Sequence, residues 1–334
     1  SFAMGAGSDA VEVGRVDRFR LMGASEGSGM AQVYGRARIA GQVIWATKLI
    51  EVKKEETQSV GGKGGSLAPK VSTTTYTYYG NFAVAVCAGP VSRIGRIWAD
   101  GKLMDTRRLH LSFHLGAEDE AADPWIEAKQ GAAGTPAYRG VAYVVFQNLE
   151  LTDYGNRLPQ ITVEVERAVG TLEQQARAVT LIPGATEFGY DTWLVRQAYG
   201  EGSYGAENRH VTTAWSDFEA SLEQLLGTCP NLERVSLVVS WFGDDLRAGV
   251  CAIQPRCERV FKATVPAIWA VGGLPRFAVP AVSQHEGRAA YGGTPSDDSV
   301  VRAIARMKAA GLKVTLNPFV MMDIPAGNTR PDPW

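Results

Sequence analysis

This sequence has little cysteine and almost no net charge. Its 334 residues include four cysteines, and the formal charge is -1 at pH 7. Only Cys251 and Cys257 lie close together, and they lack the second ligand pair that a zinc site needs. The balanced charge offers no global basic excess for nucleic acid or an anionic membrane. We therefore expect buried thiols, no metal and no cofactor.

Targeting and membrane-spanning segments are also missing from the sequence. No apolar run approaches the roughly 20 residues that cross a bilayer, and Ser1 to Ala10 lacks the basic and apolar regions of a signal peptide. The chain begins without Met. We interpret it as a piece of a longer protein that folds in a bacterial cytoplasm.

Two motifs of enzyme chemistry are not supported either. The single G-x-S-x-G match, Gly23 to Gly27, does not lie between a predicted strand and a predicted helix, which argues against a serine hydrolase. The glycine-rich run Glu55 to Lys70 fits neither phosphate-binding pattern, and no helix is predicted after it. We predict a mobile loop over this run, with a phosphate cradle as the weaker alternative.

The first half of the sequence is rich in predicted strands. Tyr138 to Phe146 and Leu158 to Val165 are joined by the turn residues Asp153 to Asn156. In the second run Ile161, Val163 and Val165 alternate with polar residues. The pattern predicts a strand with one apolar face and one solvent-exposed face.

Further hairpin and strand signals occur between these runs and the glycine-rich segment. Asp100-Gly101 stands between apolar runs and predicts a tight hairpin. His110 and His114 alternate with apolar residues, and because no further ligands are near, we predict that they lie on a solvated strand face. The acidic run Glu118 to Asp123 is predicted to be solvated too.

Five segments of this half, in order, resemble the hub region of tail-tip proteins of long-tailed phages and of gene transfer agents. They are YGRARIAGQVIWATK, TYTYYGNFAVAVCAGP, IGRIWADGKLMD, HLGAEDEAADPWIEA and PAYRGVAYVVFQNLELTDYGNRLPQ. The resemblance covers about residues 24 to 168. It implies a tail-tube-like β domain that trimerises and closes or extends the channel through which DNA leaves.

The second half has the pattern of parallel β/α units. The predicted elements are a strand at Ala178 to Pro183, a helix at Ser216 to Gly227 that Ser216 caps, a buried strand at Val235 to Phe242, an irregular insertion at Cys251 to Gly293, a helix that Ser296 caps and Gly311 ends, and a buried strand at Val314 to Met322. Alternating helices and apolar strands indicate a parallel β/α winding.

This half resembles the TIM-barrel-like, glycoside-hydrolase-like domain of the large tail-tip protein of gene transfer agents. The resemblance covers roughly residues 171 to 334 and is carried by NRHVTTAWSDFEASLEQL, CPNLERVSLVVSWFGDDLR, YGGTPSDDSV and GLKVTLNPFVMMDIP, with NTRPDPW at the end. A closed barrel needs about 250 residues, so we expect only its first part here. The predicted fold class is α/β plus all-β and multidomain, with a connecting segment at 1–23, a hub domain at 24–168 and a partial barrel at 169–334.

Candidate catalytic residues follow the predicted strands, because barrel enzymes gather their reacting groups at the carboxyl ends of strands. Asp244 and Asp245 follow one strand and Asp323 ends another, and glycoside hydrolysis needs two carboxylates. Capping or a surface ion pair with Arg247 is the alternative. The candidates for a sugar-stacking platform are Trp241, Trp269 and Trp334.

The predicted function is a structural component of a phage-like tail tip, or baseplate hub, that serves envelope attachment and DNA delivery. The expected partners are further copies of the chain in a trimer, the distal tail protein and a neighbouring hub protein, DNA passing without sequence recognition, and envelope glycans. A glycoside hydrolase acting on peptidoglycan or a surface glycan is one alternative. A carbohydrate-binding barrel without turnover is another.

Overall fold

The computed structural model describes residues 11–13, 29–59, 70–182, 184 and 186–323, with backbone only at 11–13, 57–59 and 70–72. The chain divides into two compact units, Ser1–Arg167 and Ala168–Trp334. Helices and several separate sheets occur, and strands outweigh helices. The predicted mixed, sheet-rich architecture is confirmed. The tail-tube and barrel details remain predictions, and the connecting segment 1–23 lies outside the described residues apart from Val11–Val13.

The described part of the first unit consists mostly of strands. They are β1 (Val11–Val13), β2 (Gly35–Ala40), β3 (Gln42–Ala46), β4 (Ile50–Ser59), β5 (Lys70–Ala88), β6 (Arg93–Ala99), β7 (Lys102–Leu103), β8 (His110–His114), β9 (Val141–Glu150) and β10 (Ile161–Arg167). Helix α1 (Pro124–Gln130) and 3-10 helices at Thr106–Arg108, Ala132–Gly134 and Thr152–Tyr154 connect them.

These strands form two sheets that contribute to one main apolar core, and a smaller apolar cluster contains Ile126 and Tyr143. One sheet has the order β1-β5-β9-β8, with β3 and β4 also paired to β5, and the other has the order β2-β10-β6-β7. The predicted alternation of β10 places Ile161, Val163 and Val165 in the core at 0% exposure. Each such buried side chain stabilises the fold by about 1.5–3 kcal/mol. The other face of β10 is not wet as predicted, because Glu164 and Glu166 are buried there at 5% and 8% exposure.

Both turn predictions in this unit are confirmed. Asp100 and Gly101 have φ of 48° and 82° and connect β6 to β7, as a two-residue hairpin of the primed type requires. Gly155 and Asn156 have φ of 65° and 55° in the connection from β9 to β10. Positive φ suits glycine and is tolerated by asparagine, which is why the local sequence was informative.

The predicted loop at Glu55 to Lys70 is wrong at its start. Strand β4 continues to Ser59 and pairs with β5 from Ile50↔Tyr79 to Ser59↔Lys70, and residues 60–69 lie outside the described residues. The apolar periodicity is missing because exposed ion pairs line this strand, with Lys53 2.6 Å from Glu55 and Lys54 2.5 Å from Glu56. We call the paired segments 50–59 and 70–79 the β-arm.

Strand β8 follows its prediction at one end only, because His110 is exposed as predicted but His114 is not. Phe113 and Leu115 are 47% and 38% exposed, whereas His114 is buried and stacks on Tyr143 with ring centroids 4.1 Å apart. The two ring nitrogens of His114 lie 3.1 Å from Glu120 and 2.9 Å from Asp123.

The acidic run that precedes α1 is therefore not simply solvated. Asp123 is 0% exposed and caps α1 by accepting hydrogen bonds from the backbone N–H groups of Trp125 and Ile126. The prediction failed for His114 and for this run because the His114 ring and the carboxylates of Glu120 and Asp123 are hydrogen-bond partners in the fold.

The second unit combines a parallel sheet with short irregular strands. Its strands are β11 (Ala178–Leu181), β12 (Arg196–Gly200), β13 (Ser203–Ala206), β14 (Arg234–Gly243), β15 (Ile253–Gln254), β16 (Thr264–Val265), β17 (Ala270–Val271), β18 (Leu274–Pro275), β19 (Gln284–His285), β20 (Arg288–Ala289) and β21 (Lys313–Met322). Its helices are α2 (Thr171–Gln175), α3 (Asp217–Thr228), α4 (Asp297–Ala309) and a 3-10 helix at Arg276–Ala278.

Strand β14 pairs in parallel with β11 and with β21, and α3 and α4 are the intervening helices. The predicted β/α alternation with parallel strands is confirmed. Ser216 caps α3 as predicted by accepting a hydrogen bond from Glu219 N–H at 3.3 Å. Ser296 stands at the start of α4 but makes no side-chain capping bond. Among the described residues no helix is long and apolar enough to cross a membrane.

The prediction that β21 is buried is wrong. Leu316, Phe319 and Val320 are 51%, 46% and 40% exposed. Within the described ranges β21 pairs only with β14, so it forms an edge of the sheet. An apolar run alone does not distinguish a covered strand from an edge strand.

Candidate functional site

The carboxyl ends of β14 and β21 lie side by side in the second unit. Gly243 is in register with Met322, and the backbone N–H of Asp323 donates to the carbonyl of Gly243 at 2.9 Å. Asp244 and Asp323 therefore follow neighbouring strand ends, as the sequence pattern requires. This is the edge at which parallel β/α folds place ligands.

Asp244 and Asp245 are engaged in local contacts. Asp244 accepts a hydrogen bond from Ala252 N–H at 2.8 Å. Asp245 accepts from Arg247 through its backbone N–H at 2.8 Å and its guanidinium at 2.8 and 2.5 Å. Both carboxylates stabilise the segment that follows β14, in agreement with the alternative of capping or an ion pair with Arg247.

Asp323 belongs to a buried ion pair. Its side chain is 2% exposed, and Oδ2 accepts from Arg256 Nη1 at 2.6 Å and from Ser283 N–H at 2.9 Å. Arg256 is itself only 8% exposed in its side chain. A carboxylate held in this way joins the insertion after β14 to the end of β21. The catalytic role of Asp244, Asp245 and Asp323 stays a prediction.

The predicted sugar-stacking tryptophans occupy different settings. Trp241 is partly buried and packs against an apolar cluster that contains Trp269. Trp269 is 1% exposed, its indole N–H donates to Thr294 O at 2.8 Å, and the Arg276 guanidinium lies 5.3 Å from its ring centroid. The burial of Trp269 does not fit a platform for a sugar ring. Trp334 lies outside the described residues.

A cavity of about 610 Å³ opens on the face of the parallel sheet. Its lining residues are Thr180, Ile182, Gly184, Val238, Ser240, Tyr291, Gly292, Gly293, Asn317, Phe319 and Met321. The lining combines hydroxyl and amide groups with apolar and aromatic surface, and it contains no carboxylate. Such a surface can bind a neutral ligand by hydrogen bonds and ring contacts, but it supplies no general acid or base.

A cluster of buried charges, absent from the sequence predictions, lies elsewhere in this unit. The Lys262 ammonium is 3% exposed and contacts three carboxylates, at 3.4 Å from Glu187, 2.7 Å from Glu258 and in a short contact with Glu207. Arg276 donates to both oxygens of Glu187 at 2.6 and 2.7 Å. We call these five residues the Lys262 cluster.

The protonation of the Lys262 cluster follows from its burial. Burial raises the pKa of Glu258, and the charges of Glu187 and Glu207 act in the same direction against the opposing effect of Lys262. Burial works to lower the pKa of Lys262, but the charges of Glu187 and Glu258 and the hydrogen bonds of Lys262 outweigh it, so the pKa is raised. Lys262 therefore stays an ammonium.

The three carboxylates of the Lys262 cluster lie close enough to share a metal ion, because one oxygen from each falls within 4.8 Å of the others. The Lys262 ammonium, however, already contacts all three. The cluster fits a buried charge network that fixes the irregular part of the unit better than it fits a metal site. Only the spacing of Glu258 and Lys262, four residues apart, hinted at it in the sequence.

No protein family model matches this chain, and no curated protein matches it. Among solved structures, the chain is similar to one chain of the virion of a native gene transfer agent particle. The two are 25% identical, the match covers 92% of this chain and 78% of that chain, and the TM-score is 0.38.

Proposed function

We propose that this protein is a structural component of a phage-like tail tip, in which the first unit forms the hub and the second unit meets the cell envelope. The ordered series of hub-like sequence segments supports the proposal. In this role copies of the chain form a trimer, contact the distal tail protein and a neighbouring hub protein, and close the channel through which DNA leaves. The particle assembles in the bacterial cytoplasm.

The structural observation that carries the proposal is the β-arm. Segment 50–59 pairs with 70–79 over ten residue pairs, and β9 pairs with β5 only from Tyr79 onward. On β4 every side chain from Ile50 to Glu56 is exposed, including Ile50 and Val52 at 41% and 45%. The β-arm has an open strand edge, because within the described residues β4 pairs only with β5, whose other side pairs with β1 at Thr73 to Thr75. It suits contact with a second copy or a neighbouring tail protein.

The test uses particles from cells that carry the gene and cells that lack it. Particles without the protein should have open or missing tail tips in electron micrographs. A matched pair of variants locates the effect: Ile50→Asp with Val52→Asp in the β-arm should reproduce the defect, whereas Val301→Asp on the exposed face of α4 should not. Intact tips on particles that lack the protein would refute the hub role.

A second proposal concerns the second unit, as the first part of a TIM-barrel-like domain that binds envelope glycan without cleaving it. The neutral lining of its cavity favours binding over hydrolysis. In the full-length protein, Ser240→Ala with Asn317→Ala should weaken binding to purified peptidoglycan. Asp244→Asn, Asp245→Asn and Asp323→Asn should leave the release of soluble fragments at the background level of the unchanged protein. Release that depends on these aspartates would instead establish the hydrolase.

A further inference from the structure

One face of the sheet β2-β10-β6-β7 carries a concentration of arginines. The pairing of Glu166 with Arg36 and Arg93, and of Glu164 with Arg38, places these side chains on the side opposite the core. We call this surface the arginine face, and it consists of Arg36, Arg38, Arg93, Arg96, Trp98, Thr162, Glu164 and Glu166. Four arginines against two glutamates leave two positive charges in excess, on a chain whose formal charge is -1.

The glutamates lie beneath the arginines and hold them in place. The side chains of Glu164 and Glu166 are 7% and 10% exposed, whereas those of Arg36 and Arg96 are 48% and 51% exposed. Arg96 donates to both oxygens of Glu164 at 2.7 and 3.0 Å, and Arg36 lies 2.5 Å from Glu166. The arginines therefore keep a solvent-facing side while their inner side is fixed.

Gly95 makes room for this arrangement. A Cβ at Gly95 would lie 2.7 Å from Oε2 of Glu164. The same oxygen accepts from the backbone N–H of Arg96 at 3.3 Å. The absence of a side chain at position 95 thus allows the carboxylate to lie against the strand.

Arg38 differs from its neighbours because no carboxylate of the described residues pairs with it. Its Nε donates to Thr162 Oγ1 at 2.8 Å, and its guanidinium lies 4.1 Å from the centroid of the Trp98 ring. The Arg96 guanidinium lies 5.4 Å from the same centroid. Stacking on Trp98 restrains Arg38 without neutralising its charge.

We propose that the arginine face binds the phosphodiester backbone of nucleic acid without reading its sequence. A guanidinium offers parallel N–H donors that match a phosphate, and the restraint by Trp98 and the glutamates reduces the entropy lost on binding. Arg36 and Arg38 stand about 6.8 Å apart along β2, which suits a chain of regularly repeated charges. The guanidiniums of Arg38 and Arg96 lie over the Trp98 ring, so this ring is not available to stack on a base. Contacts to phosphates alone carry no sequence information.

The arginine face would supply the nucleic-acid contact of the proposed DNA-delivery role, and its place in a particle rests on that role. Binding itself can be measured on the purified chain. A short fluorescent DNA duplex of mixed sequence is titrated with the full chain over a series of salt concentrations. Each phosphate contact contributes about 0.9 to the slope of log K against log salt. Arg38→Ala should therefore lower that slope by about 0.9.

The choice of Arg38 keeps the fold intact, since its removal leaves no buried carboxylate without a partner among the described residues. Arg38→Glu should weaken binding further than Arg38→Ala. The matched control is Arg234→Ala, which removes the same charge from an exposed position in the second unit. The control variant should bind as the unchanged protein does, and a duplex of another sequence should bind equally well. An unchanged urea midpoint for the Arg38 variants confirms that they fold.

Two results would overturn the inference. One is equal affinity of Arg38→Glu and the unchanged protein for the duplex. The other is displacement of the duplex by polyglutamate as effectively as by unlabelled DNA at the same charge concentration, which would identify an acidic protein as the partner. Particles that carry Arg38→Glu separate the two proposals. Intact tips on these particles, together with unaltered duplex binding by the variant, refute this inference alone, and missing tips in particles without the protein support the hub role independently.

Discussion

Both units bury glutamates against basic side chains, but they place the basic groups differently. In the arginine face Glu164 and Glu166 are buried while Arg36 and Arg96 stay about half exposed. In the Lys262 cluster the cations are buried too, with Lys262 at 3% and Arg276 at 8% exposure. The same pairing chemistry thus yields a surface that is accessible to a ligand in the first unit and a buried ion-pair network in the second. The difference lies in which side of the pair faces water.

The largest expected effect is the loss of stability on removing Lys262. Lys262→Met leaves Glu207 and Glu258 without their basic partner and Glu187 with Arg276 alone. Breaking a buried ion pair by removing one partner costs about 3–5 kcal/mol. Urea unfolding of the full chain, followed by tryptophan fluorescence, measures the loss. Lys308→Met, on an exposed position of α4, is the control. A loss as small as that of the control would show that the buried cluster contributes no more than a surface pair.

Arg96→Ala should destabilise the first unit by a smaller amount. Glu164 loses its bidentate partner, and hydrogen bonds to charged groups contribute about 1.5–3 kcal/mol. Because the Arg96 side chain is half exposed, water can replace part of the lost interaction, and we expect the lower end of that range. The same unfolding experiment applies, with Arg38→Ala as the matched variant that should cost less. A loss equal to that of Lys262→Met would break the contrast between the two regions.

The two regions should respond to pH with opposite signs. Hydrogen bonds from Arg96 lower the pKa of Glu164 below its ordinary value of 4.5, so its stabilisation is present above that pH and is lost as the pH falls through the folded-state pKa. Burial raises the pKa of Glu258 above 4.5, so its contribution is full below that pH and is lost as the pH rises through the folded-state pKa.

Two glutamine variants test these signs. The stability advantage of the unchanged protein over Glu164→Gln should shrink on acidification below 4.5, and its advantage over Glu258→Gln should shrink as the pH rises above 4.5. Unfolding midpoints across a pH series give both differences. A common sign for the two variants would contradict the assigned environments.

The smallest expected effect is that of Gly95→Ala. The new Cβ displaces the flexible Glu164 carboxylate and weakens its bonds to Arg96, at a cost of roughly 1 kcal/mol. Duplex binding should weaken with it, because Arg96 loses its support. Gly134→Ala is the control, since nothing lies within 4 Å of a Cβ at that position. Unaltered stability and binding in Gly95→Ala would show that the carboxylate position is unimportant.

Local chemistry accounts for what could be predicted from the sequence. The cap of α3, the hairpin at Asp100-Gly101 and the apolar run of β14 each depend on neighbouring residues, and all three are confirmed. The alternation of β10 identified its core face correctly. The same alternation wrongly predicted a solvent-exposed opposite face, because the partners that bury Glu166 are distant in the sequence. Arg36 is separated from it by 130 positions.

The candidate site was predictable only in part for the same reason. Strand-end position brought Asp244 and Asp323 to neighbouring strands, but the partners that occupy them come from the insertion. Arg256 is 67 positions from Asp323, and Lys262 is 75 from Glu187. Such contacts are set by the tertiary fold, and no spacing rule of helices or strands reports them.

Strand β5 links the β-arm to the core without interruption. Its 19 residues extend over roughly 63 Å, pairing first with β4 and then, from Tyr79, with β9. A pull on the tip of the arm is therefore transmitted along one continuous backbone to the ladder with β9, whose hydrogen bonds lie across the direction of the load and share it in shear. Mechanical tension on the β-arm is therefore resisted by the hydrogen bonds between β5 and β9, in the most deeply buried part of the unit.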